Sequence, residues 1–214
     1  NRSNALKQNQ NFDQYKTNFI NNLWDLYPNW ASSIGFHKSD SILTIPDETQ
    51  RNKEIAFAKS QLDSLHLFNL DSLNNQNKTD YYLIENQLKS SIWNIEKFKS
   101  YQWNPSQYNV SEGFAEIINN SYGDINEKLL AVKARLKMVP TYYEVAKKNI
   151  VNPTLEHTAL AIDQNTGGLS VFQSDLVQAL AKSSLSTAEK AEINRLSQDA
   201  ISAIQSYCLF LKAR

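Results

Sequence analysis

Apolar residues return every three or four positions along almost the whole chain, and that period admits helices and little else. Phe12, Tyr15, Phe19, Leu23 and Tyr27 set one stripe, which predicts a first helix over about Phe12 to Leu26. Pro28 stops it, because the residue before a proline avoids the α region. Ile55, Ala58, Leu62 and Leu65 predict a second helix, with Pro46 in its first turn, where a missing N–H costs nothing. Tyr81, Ile84, Leu88, Ile92 and Ile95 predict a third, running to about Lys99 and capped by Asn77 or Thr79. No segment of period two is long enough for a strand. With only 5 Gly and 5 Pro in 214 residues, the turns that an all-β fold needs are scarce.

Local punctuation sets the remaining boundaries. Ala31 to Ile45 reads as a loop containing Gly35, His37 and Asp40, and Trp103-Asn104-Pro105 with Tyr108 as an aromatic loop. Ser111 is expected to cap a short helix that Gly123 ends. Asp124 with Glu127, and Ser186 with Glu189, match the capping box, in which each side chain satisfies a free N–H at the helix start. Leu129, Val132, Leu136, Val139, Tyr143, Ala146 and Ile150 continue one stripe across Pro140, which predicts a single helix kinked there. Gly167-Gly168 is expected as a helix C-cap. The last stripe, Ile193 to Leu211, lies on a helix expected to be about 40 Å long at 1.5 Å per residue and meets no stop signal, which suggests that more protein follows. The expected architecture is all-α: a polar, frayed start over 1–11, then one helical domain over 12–214. That domain should hold seven to eight helices, mostly packed as an antiparallel bundle, with a long final one.

Charge narrows the function. Lys plus Arg equals 22 and Asp plus Glu equals 22. A zero balance, with basic residues spread out and no run that resembles a Lys/Arg patch, gives no electrostatic footprint for nucleic acid or anionic lipid. No apolar stretch approaches the ~20 residues of a transmembrane segment. The single cysteine, Cys208, cannot form an internal disulfide and reads as a core thiol.

The three histidines, His37, His66 and His157, do not supply a zinc site. A helical zinc peptidase uses His-Glu-x-x-His, which one helical turn folds onto one metal, and that string is absent. Glu156-His157 stands alone at a helix start. His37 has Asp40 three residues on, a spacing that allows a hydrogen bond. A structural loop clasp is the plainer reading, because no nucleophile can be assigned beside it. Trp93, Tyr101, Trp103 and Tyr108 lie close together in sequence and could line a groove, with core packing as the competing use.

Taken in order, the loop motifs resemble a known family. Tyr27-Pro28-Asn29-Trp30-Ala31 precedes Gly35-Phe36-His37. Trp103-Asn104-Pro105 with Tyr108 comes next, then Arg135, Val139-Pro140, Tyr143, Ala146 and Asn149-Ile150. Asn152-Pro153, Ala161-Ile162, Gly168 with Phe172, Tyr207 and Phe210-Leu211 close the series. Over about Phe12 to Leu211 this is similar to the amino-terminal half of the bacterial family called domain of unknown function 885. One departure is Ala31-Ser32, where the family tends to have Ala-Thr; serine keeps the hydroxyl.

The resemblance implies a mostly helical, zinc-metallopeptidase-like parent of the His-Glu-x-x-His type, whose zinc motif lies in the carboxy-terminal half. It implies no catalytic or metal residue, and no cofactor, on the segment matched here. The expected role is one wall or lid of a peptide-binding cleft, with the remainder of its own chain as partner and peptide as the parent's substrate. His37, Asp40, Trp103 and Tyr108 are the candidate cleft contacts. Many members carry export or lipoprotein signals, which implies a periplasmic or cell-envelope location. The alternative is a stand-alone helical interaction module without chemistry.

Overall fold

The computed structural model describes residues 2–214, and among them the fold is all-α. In chain order the helices are α1 (Arg2–Leu26), α2 (Pro28–Ser33), α3 (Glu48–Leu65), α4 (Asn75–Trp93), α5 (Ser100–Trp103) and α6 (Ser111–Asn119). There follow α7 (Ile125–Leu136), α8 (Val139–Asn149), α9 (Leu155–Ser170), α10 (Leu176–Lys182) and the long α11 (Thr187–Lys212). Two wider π turns, Asn94–Phe98 and Val171–Asp175, extend α4 and join α9 to α10. Contacts gather the helices into two compact units. One comprises the chain up to Leu26 with Glu48–Ser100, the other Tyr27–Asp47 with Tyr101–Arg214.

The first unit is built from α1, α3 and α4 around Phe12, Leu65, Leu73 and Tyr81. Phe12 meets Phe68 edge-on at 5.0 Å, the geometry that aromatic quadrupoles prefer. α1 begins at Arg2, not at about Phe12, so positions 2–11 of the stretch expected as a frayed start are helical, and Asn1 lies outside the described residues. Asn9 lies within this helix: its Nδ2 donates to the Ser72 carbonyl at 3.1 Å, and its Oδ1 accepts from the Asn74 N–H and Asn77 Nδ2. The cap of α4 is Asn74, whose Oδ1 accepts from the Asn77 N–H; Asn77 and Thr79, expected as caps, lie inside the helix. Pro46 likewise precedes α3 and does not enter it.

The second unit has the larger core. Ile193, Ala200, Ile204, Tyr207 and Leu211 of α11 pack with Phe114, Val132, Leu136, Tyr143, Ala161 and Phe172. The box at the start of α11 is complete, with Ser186 and Glu189 each accepting at the other's backbone N–H.

Several boundaries differ from expectation, each for a steric reason. Pro140 does not kink one helix; α7 ends at Leu136 and α8 restarts at Val139. Pro140 has no N–H for the Leu136 carbonyl, and its ring would crowd that same group. In the first turn of a new helix neither defect matters. Ser111 is the first residue of α6, not its cap. Gly167-Gly168 does not cap α9, which continues through both to Ser170. A Cβ at Gly168 would overlap the Ser111 hydroxyl and lie 2.5 Å from its Cβ, so this glycine lets α6 and α9 approach closely. Such breaks, with α2 and α5 formed in segments read as loops, raise the helix count above seven to eight.

Candidate functional site

A connected polar cluster lies in the second unit, around Asp40. Pro28 opens α2, which places Asn29 and Ser32 one turn apart. Gly35, at φ +90°, then reverses the chain, a conformation that L side chains avoid. The loop beyond it presents His37 and Asp40 and is anchored by Leu43 in the core.

Asp40 sits at the centre of this cluster, with its side chain buried. Its Oδ1 accepts from the Ser32 hydroxyl at 2.5 Å, so the hydroxyl kept at the family's threonine position is in use. Its Oδ2 accepts from the Tyr122 hydroxyl and lies 3.1 Å from His37 Nδ1. The His37 and Tyr122 rings stack, 3.3 Å apart and 6° from parallel. The Asp40 backbone carbonyl accepts from Nε of Arg135 on α7. Arg135, 0% exposed, also donates to Asn29 Oδ1 at 2.7 Å. Burial pulls its guanidinium down to about 10, against the upward pull of Asp40 and Tyr122, which leaves it charged at neutral pH. Burial, then the bond to Asp40, pushes the Tyr122 phenol up, so it remains a donor.

This connectivity decides the chemistry. In a serine hydrolase the histidine stands between serine and carboxylate, so that it can take the serine proton. Here the carboxylate is in the middle and both Ser32 and His37 address it from different sides. Three side-chain donors converge on it, and Arg135 is spent on a backbone carbonyl and Asn29. What the arrangement does is fasten three distant stretches of chain: α2 with its loop, the turn before α7, and the end of α7. Beside it a shallow cleft of about 220 Å³ is lined by His37, Tyr122, Glu127 and Lys128, among others.

The other expected pair lies elsewhere in the same unit and does not line that cleft. Trp103 packs edge-on against His157, whose Nδ1 lies 2.7 Å from the Thr154 hydroxyl. Tyr108 is 2% exposed; its hydroxyl donates to the Tyr101 carbonyl and accepts from Asn149 Nδ2. It belongs to a core network in which Asn165, also buried, donates to the Tyr108 carbonyl and accepts from the Tyr143 hydroxyl. Tyr108 is therefore part of the core of this unit.

Sequence reasoning missed Tyr122, and it took Asn29, Ser32 and Arg135 only as motif residues. One signal was available for Arg135: it falls beside Leu129, Val132, Leu136 and Val139 on the register that is buried.

Among the described residues no three His, Cys, Asp or Glu side chains gather so as to hold a metal ion. His66 goes to Glu85 at 3.0 Å, away from any such set. No described helix is long and apolar enough to cross a membrane.

Comparison with known proteins then places the chain. No curated protein matches it significantly. A solved structure from Shewanella oneidensis, described as "a putative lipoprotein of unknown function", is 46% identical with a TM-score of 0.91. The match covers 94% of this chain and 37% of that one, so this chain spans little more than a third of its relative. The model of the family described as "Bacterial protein of unknown function (DUF885)" matches residues 28–214, and the chain belongs to that family.

Proposed function

We propose that this chain is a non-catalytic helical part of a larger, zinc-metallopeptidase-like protein, where it forms one wall or lid of a peptide-binding cleft. The observation that carries this reading is the direction of the donors around Asp40. Ser32, His37, Tyr122 and Arg135 all point inward at one residue, which suits a rigid scaffold and leaves no group poised to react. A wall of this kind contributes by excluding water and holding peptide, while the activated water belongs to the other part of the parent. The relative's description as a lipoprotein supports a cell-envelope location for the parent.

The test is a pair of measurements. Isothermal titration of the 214-residue chain with zinc should give no stoichiometric site, and the full-length parent should bind zinc and cleave unstructured peptides. Zinc bound one-to-one by this chain alone, or a parent inert toward zinc and peptides, would overturn the proposal. The rival, a stand-alone interaction module, would instead show a specific dimer or complex and an equally inert parent.

A further inference from the structure

The chain as a whole is electrically neutral, but the outward side of α4 is not an average surface. At 100° per residue, Tyr82, Leu83 and Trp93 share the side opposite the buried Tyr81 and Leu88. They are 57%, 63% and 52% exposed. The π turn after Trp93 brings Phe98, itself exposed, into a stack with it, 4.9 Å apart and 20° from parallel. The left-handed Lys99, at φ 50°, ends that turn.

Charges around this surface are sorted. Lys78 and Lys89 flank the aromatic stripe along α4, and Lys97 and Lys99 bracket Phe98. The neighbouring carboxylates are already engaged: Asp80 by Lys16, Glu85 by His66 and Lys89, and Glu96 by Lys59. Among the described residues, Lys97 and Lys99 find no carboxylate to pair with. Large aromatic side chains set among such lysines form the composition of a water–lipid boundary. There the rings sit at headgroup depth and the ammonium groups meet phosphate. An apolar protein partner would leave those ammonium groups to be desolvated without a counter-charge.

We propose that this side of α4, from Lys78 to Lys99, rests on an anionic lipid surface. The contact is peripheral and reversible, because four apolar side chains and a few lysines fall well short of an inserted helix. It goes beyond the cleft-wall reading and does not depend on zinc or peptide; it rests only on the envelope location.

The experiment is co-sedimentation of the 214-residue chain with phosphatidylglycerol vesicles and with phosphatidylcholine vesicles, at low salt and at about 0.5 M salt. Association with the anionic vesicles, lost in salt and absent from the zwitterionic ones, is expected. Lys97→Glu with Lys99→Glu should lower partition by about tenfold or more. Brominated lipid should quench the tryptophan fluorescence of the unsubstituted chain, and Trp93→Ala with Phe98→Ala should lower partition as well. Both pairs are at the surface, so circular dichroism should show an unchanged helix content. No preference for anionic vesicles, or binding that both double variants retain, would overturn the proposal while leaving the zinc and peptide test untouched. The proposal fails equally if these substitutions weaken only a protein–protein association and never vesicle binding.

Discussion

Two polar clusters, one in each unit, use the same chemistry in different surroundings. Around Asp40, Arg135 is sealed from water and its guanidinium bonds the Asp40 carbonyl and Asn29 Oδ1. Around Lys16, the ammonium group bonds Asn77 and Asp80 at 2.6 and 2.7 Å and also reaches Asp13, but about a quarter of the side chain remains in solvent. Bond lengths alone would rank the two as equals. Burial separates them, because water can replace a lost partner at Lys16 and cannot do so at Arg135.

The sharpest way to break this contrast is Asp40→Ala. It should cost about 3–5 kcal/mol in urea unfolding, since it removes the counter-charge beside the buried Arg135 and leaves the Ser32, His37 and Tyr122 side chains without their shared acceptor. Adding Arg135→Met should recover part of that loss, and a pair of strictly additive penalties would show the two residues to be uncoupled. Ser186→Ala, at the exposed box of α11, should cost about 1 kcal/mol. Its effect carries a pH signature. The hydrogen bond from the Ser186 hydroxyl, then that from its backbone N–H, holds Glu189 below its ordinary 4.5. A carboxyl depressed in the folded state stabilises above its unfolded value and ceases to do so as pH falls through the folded one. The gap between wild type and variant should therefore be full at neutral pH and narrow once Glu189 is protonated in strong acid. Lys16→Met should have the smallest effect, below about 1 kcal/mol and weaker still in salt. A Lys16 penalty as large as that of Asp40 would end the comparison.

The parts of the molecule legible in the sequence are those set by neighbours in the chain. The stripes of α3, α4 and α11, the stop at Pro28 and the Ser186–Glu189 box each follow from spacings of three and four residues. The errors came where a local signal had two outcomes. Pro140 can kink a helix or open one, and Gly168 can cap a helix or admit a neighbour. At Gly168 the packing partner, Ser111, chose; at Pro140 the missing N–H and the ring did. At the candidate site, His37 and Asp40 were legible because they lie three residues apart. Tyr122 is 82 positions from Asp40, and Arg135 is 95, so no spacing rule could join them.

The sequence by itself determined that this protein is helical and where most of its helices run, because helix geometry is written in residues three and four apart. It also determined that no zinc-peptidase string is present. Only the tertiary structure decided that Tyr108 is core, that Ser32 and Tyr122 serve Asp40, and that a charged Arg135 can be buried. Each of those depends on groups brought together from distant segments, and the exclusion of water that makes them matter exists only once the helices have packed.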